Sequence, residues 1–409
     1  MTIDRVVVVG ASLAGLRAAE TLRNDGFSGA VTIVGAEPHR PYDRPPLSKK
    51  LLAGEWDPDR IALRQADTFD ELDVEWRLGM AATGLDLDAR ELHLTDGSSL
   101  GFAGLIIATG ATPRRLPGQD GFDHVHELRT VDDAMALRTR LAAGDRRVAV
   151  VGAGFIGLEV AATARILGND VTVLELAAAP LAAPLGHELG EAIGALHRAE
   201  GVDIRCGVAV DRLADASVVL MGGEEVAADE IVVGIGVEPA TGWLAGSGLE
   251  LRDGVVCDGT LGARRTDGSR AAGIFAAGDV ARWTNPLYGE EMRVEHWTNA
   301  AEQGALAARN LLAPDLGGAP EPYAPVPFFW SDQYRHRIQF LGRAGPHDEV
   351  EVVAGDVDDA NFLALYHRDG VLRGALGVNA PRWVMKMRGP LLERVSWDDG
   401  RAAAIAVAT

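Results

Sequence analysis

The chain has 409 residues, too long for one ordinary hydrophobic core, so two or three domains are expected. A content of 47% hydrophobic and 24% charged residues marks a soluble globular protein, and a formal charge of −20 speaks against non-specific nucleic-acid binding and against an anionic membrane as partner. The two cysteines, Cys206 and Cys257, lie far apart, which leaves no disulfide framework, no metal-ligand pair and no redox dithiol. A strand is expected almost at once, with no signal segment before it, and no apolar run reaches the roughly 20 residues of a spanning helix. A cytoplasmic monomer without a metal is the expectation.

The first predicted strand, Val6-Val7-Val8-Val9, runs into Gly10-Ala11-Ser12-Leu13-Ala14-Gly15 and a helix to about residue 24; the apolar run that follows is closed by Glu37. A strand meeting a glycine turn that opens a helix presents backbone N–H groups and the positive end of the helix dipole to a pyrophosphate. Gly10, Ser12, Leu13, Ala14 and Gly15 are therefore candidate phosphate binders and Glu37 a ribose acceptor. Ser12 departs from the pattern, which has a glycine there. Next comes Pro41-Tyr42-Asp43-Arg44-Pro45-Pro46-Leu47-Ser48-Lys49, a rigid loop before a helix predicted near Lys49. Short alternating strands end in the buried run Leu105-Ile106-Ile107 and Ala108-Thr109-Gly110.

The fingerprint then recurs. Val148-Ala149-Val150-Val151 leads into Gly152-Ala153-Gly154-Phe155-Ile156-Gly157, and Glu175 closes the next apolar run. One such site holds one dinucleotide, so two sites imply two, most simply a bound flavin and a nicotinamide that reduces it. A carboxylate at Glu175 accepts bonds from a ribose diol and repels a 2′-phosphate, and Leu176-Ala177-Ala178-Ala179 offers no cation for that phosphate, so NADH is favoured over NADPH. A solvated strand-end glutamate is the plain alternative. Further on, an apolar strand ends at Gly234-Ile235-Gly236, and Gly273-Ile274-Phe275-Ala276-Ala277 is a buried strand before Gly278-Asp279. Asp279 is placed to accept bonds from polyol hydroxyls, or simply to cap a helix. A long amphipathic helix is predicted over 298–312. From about residue 315 short β-like runs predict a mostly antiparallel sheet, with one helix near 382–392.

Together these runs closely resemble the FAD-dependent ferredoxin reductases that serve bacterial Rieske oxygenases and cytochrome P450s. The resemblance rests on the Pro41–Lys49 loop, Ala108-Thr109-Gly110-Ala111-Thr112-Pro113-Arg114, Gly154-Phe155-Ile156-Gly157-Leu158-Glu159, Gly234-Ile235-Gly236-Val237-Glu238-Pro239, Ala277-Gly278-Asp279, Glu295-His296-Trp297 and Phe329-Trp330-Ser331-Asp332-Gln333-Tyr334. It covers essentially the whole chain. It implies an α/β fold with two Rossmann-like dinucleotide-binding domains in the glutathione-reductase-like arrangement plus an α+β C-terminal domain. The implied bounds are 1–111 with 236–314 for FAD, 112–235 for NADH, and 315–409.

The resemblance also assigns roles. FAD would be held by the first turn with Arg44, Pro45, Lys49, Ala108, Thr109, Gly110, Arg114, Gly278, Asp279, Glu295, His296, Trp297 and Trp330. NADH would be held by Gly152, Gly154, Phe155, Ile156, Gly157, Glu159, Glu175, Gly236 and Glu295. Lys49 and Glu159 would pair beside the flavin, although their spacing alone is equally that of two unrelated surface charges. Phe155 would gate the ring face, the backbone at Trp297 would bring a helix N-terminus to the flavin, and Trp330 would lie on the electron exit path; as plain aromatics Trp297 and Trp330 also suit core packing. His296 suits a structural role as well as a stacking one. A [2Fe-2S] ferredoxin, acidic in character, is the implied acceptor, docking near Arg335, Arg337, Arg382 and Lys386 with help from Arg282 and Arg293, unless these are scattered surface cations. A flavoprotein NADH oxidase and an NADH-sensing interaction protein are the rival readings.

Overall fold

The computed structural model describes residues 3–408. Cα proximity divides the chain into two compact units: Met1–Asp43, Ile61–Thr112 and Glu238–Pro327 form one, and Arg44–Arg60, Pro113–Val237 and Phe328–Thr409 the other. The Pro-rich loop from Arg44 onward thus packs with the second unit.

Each unit is built around a parallel sheet, and the two sheets repeat one plan. In the first, strand Arg5–Val9 is flanked in parallel by Ala30–Gly35 on one side and Gly104–Ile107 on the other; Glu75–Leu78 and Arg270–Ala276 extend these edges. In the second, Arg147–Val151 lies between Asp170–Glu175 and Glu230–Val233, extended by Asp203–Cys206 and Val125–His126. The central strands are apolar on both faces, as strands covered on both sides must be; in the second unit one cover is a small antiparallel sheet carrying Leu213, Val218, Leu220 and Val226. The registers match too: Val9 pairs with Val34 and Ile107, and Val151 pairs with Leu174 and Val233. The expected α/β fold with two Rossmann-like dinucleotide-binding sheets is therefore present.

The C-terminal part is a five-stranded antiparallel sheet in the order Phe328–Gln333, His336–Gly342, Val371–Val378, Asn361–Arg368, Glu349–Asp356. The α+β expectation holds, but its helical tail differs. In place of one helix over 382–392 there are two, Pro381–Lys386 and Arg388–Glu393, followed by Trp397–Ala408. Pro390 has no N–H to donate to the Lys386 carbonyl, so the first helix stops and a second begins at Arg388, with Pro390 inside its first turn. The helix predicted near Lys49 is also absent. The segment is a coil of turns in which Leu51 N–H reaches the Pro46 carbonyl (3.0 Å) and Glu55 N–H the Lys50 carbonyl (3.0 Å), spacings wider than an α-helix. Asp279 caps no long helix: it lies in the single turn Gly278–Val280, and the helix Trp297–Leu312 begins only after a hairpin.

That long helix crosses Leu13–Asn24 at backbone distance. A Cβ on Gly304 would stand 2.2 Å from the Ala14 carbonyl oxygen, closer than any side chain tolerates. Gly304→Ala is expected to pry the helices apart at a cost of about 1–3 kcal/mol, read as a lowered thermal unfolding midpoint.

Candidate active site

The two glycine turns are shaped by backbone close to backbone. Gly10 has φ +123°, and a Cβ there would lie 2.0 Å from the Ala108 carbonyl oxygen; one on Gly15 would lie 1.9 Å from the Gly10 oxygen. The second turn repeats this with Gly152 (φ +102°) against the Gly234 oxygen at 2.3 Å and Gly157 against the Gly152 oxygen at 2.2 Å. The middle position differs. A Cβ on Gly154 would meet nothing within 4 Å, and Ser12 has φ −120°, so neither backbone nor space demands a glycine there. That is why a serine fits the first copy. Helices Leu13–Asn24 and Phe155–Ile166 have no side-chain cap and no acid in their first turn. Their amide ends suit a phosphate.

Glu175 reaches back across its turn. Its Oε2 accepts Ala153 N–H (2.6 Å) and its Oε1 accepts Ala177 N–H (2.8 Å), which fixes the carboxylate beside the second fingerprint. In the first unit the buried Tyr42 hydroxyl donates to Glu37 Oε2. Gly278, φ +78°, donates its N–H to Gln303 Oε1 (2.8 Å), while Gln303 Nε2 is fully buried with no partner in the protein among the described residues. An amide donor left open in the wall of the Gly278–Asp279 turn is what a hydroxyl- or phosphate-bearing ligand satisfies, so this unit fits a dinucleotide.

Around the same turn, Arg293 Nη1 donates to the Asp279 carbonyl (3.1 Å) and pairs with Glu295 (2.6 Å). Glu295, expected on both cofactors, is thus already engaged by a cation. Burial pushes the His296 imidazole down to about 4, so it is neutral near pH 7. His296 also marks the extended entry to the helix that starts at Trp297, whose indole donates to Asp43 Oδ1 (2.7 Å). Thr109 Oγ1 donates to the Ala240 carbonyl (2.9 Å), and Gly110 turns with φ +69°.

In the second unit the structure brings Lys49 and Glu159 together. Nζ lies 2.6 Å from Glu159 Oε2, with 17% and 7% of the two side chains exposed. Glu159 Oε2 also accepts Ser48 Oγ (2.5 Å), Oε1 accepts Ser331 Oγ (2.6 Å), and Thr163, one turn along the same helix, holds the Ser48 carbonyl (2.7 Å). Arg44, followed by Pro45, donates to the Arg129 carbonyl. Arg114, expected on the flavin, is tied to the strand end expected on NADH: its N–H reaches the Gly236 carbonyl (2.9 Å) and its Nε the Val237 carbonyl (3.2 Å).

Phe155 stacks edge-on against Phe329 (4.7 Å), which stacks on Phe340 (5.4 Å), so the ring is the outer member of an aromatic row; Ile156 beside it is 43% exposed. Strand Phe328–Gln333 alternates. Phe329, Ser331 and Gln333 face the helices of the nucleotide-binding sheet, while half-buried Trp330 turns to the opposite face and stacks on Phe328 (6.1 Å). Of the cations, Arg337 forms a bidentate pair with Asp332 (2.7 and 3.1 Å) and Arg335, 80% exposed, lies 3.7 Å from Glu200, whereas Arg382 and Lys386 are exposed on one short helix. Arg282 pairs with Glu291 (2.9 Å). No metal-binding cluster and no helix long and apolar enough to cross a membrane occur among the described residues.

With this geometry, residues 4–304 match the pyridine nucleotide-disulphide oxidoreductase family and 328–409 the reductase C-terminal family. The chain is 39% identical over 388 residues to the ferredoxin–NAD(+) reductase component of the anthranilate 1,2-dioxygenase system of Burkholderia cepacia, covering 93% of this chain and 92% of that protein. It is 34% identical to the putidaredoxin reductase of Pseudomonas putida, covering 92% and 89%. The covalent putidaredoxin reductase–putidaredoxin complex superposes with a TM-score of 0.90 at 31% identity over 100% of this chain and 99% of that one. The chain belongs to the pyridine nucleotide-disulphide oxidoreductase family, on the branch of the oxygenase-system ferredoxin–NAD(+) reductases. It is an oxidoreductase, and the family's cofactors are FAD and NAD(H).

Roles for Gln303, Ser48, Ser331, Gln333 and His197 have no counterpart among the sequence expectations. Only the period-two pattern of Phe329, Ser331 and Gln333 hinted at them. His197, the partner of Gln333, is fully buried and, like His296, pushed by burial down to about 4 from the ordinary 6.5. The unfolded chain therefore takes up these protons first, so stability is complete above about pH 6.5 and falls toward pH 4, by at most roughly 1.4 kcal/mol per pH unit per histidine. Urea unfolding across that range should show this loss, and His197→Asn should reduce it.

Proposed function

We propose that this chain is an NADH-dependent ferredoxin reductase, passing electrons from NADH to a [2Fe-2S] ferredoxin that feeds a cytochrome P450 or a Rieske oxygenase. The observation that carries the reading is the Lys49–Glu159 pair, largely buried and ringed by hydroxyl donors, in a chain with two complete dinucleotide turns. FAD, when bound, supplies the conversion from two-electron to one-electron transfer.

The residues divide the work. Gly10, Ser12, Leu13, Ala14 and Gly15 with Glu37, Gly278 and Asp279 hold the flavin nucleotide, and the unpaired Gln303 amide adds a donor there. Gly152, Gly154, Phe155, Ile156 and Gly157 hold the pyrophosphate of NADH, whose ribose diol Glu175 accepts. Lys49 supplies a fixed cation that favours added negative charge on a reduced ring, and Glu159 keeps that cation in place despite its burial. The Trp297 helix end adds its dipole in the same sense, worth up to about 2 kcal/mol when partly buried. Phe155 covers the nicotinamide place until the ligand displaces it, and Trp330 lies on the exit path.

No dithiol takes part. Both cysteines are free, and burial holds the Cys257 thiol far above its ordinary value, hence protonated. An acidic ferredoxin suits the cations of the C-terminal part. Arg382 and Lys386, four residues apart on the helix Pro381–Lys386, flank Met385, itself 44% exposed, and offer charge beside an apolar contact. Arg335 and Arg337 already have acidic neighbours and contribute less. The reading is of a cytoplasmic monomer.

The deciding experiment mixes purified holoenzyme, NADH and candidate ferredoxins and records bleaching of the iron–sulfur spectrum; reduction of oxygen or quinone alone would point to an oxidase instead. Lys49→Ala should slow reduction of the bound flavin by NADH at least about tenfold while FAD stays bound, and wild-type hydride transfer in that variant would remove Lys49 from the chemistry. Glu175→Ala should raise the KM for NADH far more than it changes kcat. The double charge reversal Arg382→Glu, Lys386→Glu should raise the KM for ferredoxin at low salt by about tenfold and flatten its salt dependence.

A further inference from the structure

Glu159 is 6% exposed, and its Oε1 is the end of a hydrogen-bond chain that leads away from Lys49. Ser331 Oγ donates to Oε1 (2.6 Å), and Gln333 Nε2 donates to Ser331 Oγ (3.1 Å). Gln333 Oε1 meets His197 Nε2 (2.8 Å), and His197 Nδ1 meets the Tyr334 hydroxyl (3.1 Å). The links come from distant parts of the sequence: Glu159 from the fingerprint helix Phe155–Ile166, His197 from the helix His187–Ala199, and Ser331 and Gln333 from one face of strand Phe328–Gln333.

The direction of every bond follows from the ends. Glu159, as a carboxylate, only accepts, so the Ser331 hydrogen points to it and the Ser331 oxygen must accept from the Gln333 amide. That orients Gln333 with its carbonyl toward His197, which must therefore carry its proton on Nε2. The imidazole, buried and neutral, then offers Nδ1 as an acceptor, and the Tyr334 hydroxyl donates to it. All donors point one way, toward Glu159, and bonds aligned in this sense polarise one another in a low-dielectric interior. Ser331, Gln333 and His197 are respectively 0%, 2% and 0% exposed, so water does not substitute for any link.

The outer end is held under strain. Tyr334 sits at φ +53° in the turn between Gln333 and His336, a left-handed conformation that bulky residues rarely adopt, and its ring packs edge-on against His197 (5.1 Å). A turn that needed only to reverse the chain would place a glycine or asparagine there.

We propose that Ser331, Gln333, His197 and Tyr334 are positioning residues for the reductase, a one-way donor chain that fixes Glu159 in orientation and charge and through it sets the Lys49 ammonium. The proposal rests on the reading that the Lys49–Glu159 pair serves flavin reduction. None of the four touches a cofactor by this account; they act through Glu159.

The test uses FAD-loaded holoenzyme with ¹⁵N-labelled histidine. Near neutral pH the His197 ring nitrogens should give the Nε2–H tautomer with a hydrogen-bonded Nδ1, and Tyr334→Phe should shift the Nδ1 resonance alone. Stopped-flow reduction by NADH should then fall in a graded order, by about tenfold or more in Ser331→Ala, less in Gln333→Leu, and about twofold to threefold in Tyr334→Phe, with the Kd for NADH unmoved. Ser331→Thr, which keeps the hydroxyl, should recover rate over Ser331→Ala. An Nδ1–H tautomer, or wild-type reduction rates in both Ser331→Ala and Tyr334→Phe, overturns the proposal. Tyr334→Phe, changed only at the half-buried end, keeps the test decisive if an interior variant fails to fold. A wild-type protein that NADH does not reduce sinks the reductase reading instead, and the tautomer still decides the chain.

Discussion

The structure depends on one steric constraint used twice: a helix N-terminus pressed against the carbonyl ends of two neighbouring strands with no room for a single Cβ between them. At Gly10 and Gly152 the left-handed backbone and a strand carbonyl within 2.0 and 2.3 Å of the missing Cβ leave glycine as the sole choice. The same carbonyls belong to Ala108 and Gly234, which occupy equivalent places at the ends of equivalent strands. Because Gly15 and Gly157 then seat on the oxygens of Gly10 and Gly152, each helix is locked in depth as well as direction. Everything the sites offer to an anion, open amides and an uncapped dipole, follows from that seating.

What this leaves variable is informative. The middle position of each turn faces open space at Gly154 and tolerates a side chain at Ser12, so the motif's second glycine concerns ligand approach rather than the fold. The acids differ as well. Glu175 is held by one backbone amide of its own turn, Ala177, and one of the glycine turn, Ala153, whereas Glu37 is gripped by a phenol from the Pro-rich loop. A ligand that bonds Glu175 shares it with amides that remain in place, so the carboxylate stays fixed where a 2′-phosphate would meet it.

The elements legible in the sequence were those governed by local rules. Apolar strands running into glycine turns were readable because the motif and its geometry are the same object, and the alternation after residue 328 foretold an antiparallel sheet. Lys49 and Glu159 were paired only through the family resemblance; their meeting depends on a coil whose turns carry i→i−5 bonds and on Thr163 anchoring Ser48, neither of which has a sequence signature. The single helix expected over 382–392 failed for a local reason. A proline removes one specific donor, and its effect depends on which carbonyl loses a partner. The break after Lys386 is caused by a proline four residues downstream, inside what reads as one helical stretch. His197, Gln333 and Gln303 carried no signal because a buried polar residue resembles a surface one until its partners are known.

Those buried polar residues show why the Lys49–Glu159 pair is tenable. Removing two charges from water costs several kcal/mol per ion, and mutual attraction alone often fails to offset it. Here the carboxylate keeps three donors, Lys49, Ser48 and Ser331, so its lone pairs are nearly as well served as in solvent, while the ammonium remains partly exposed. The asymmetry matters. A carboxylate saturated by neutral hydroxyls as well as by its counter-ion need not draw the ammonium fully to itself, and part of the lysine's positive field stays available to another anionic group nearby. An isolated pair with no hydroxyls would neutralise itself. The donor shell around Glu159 is therefore what lets this salt bridge stay charged despite its burial.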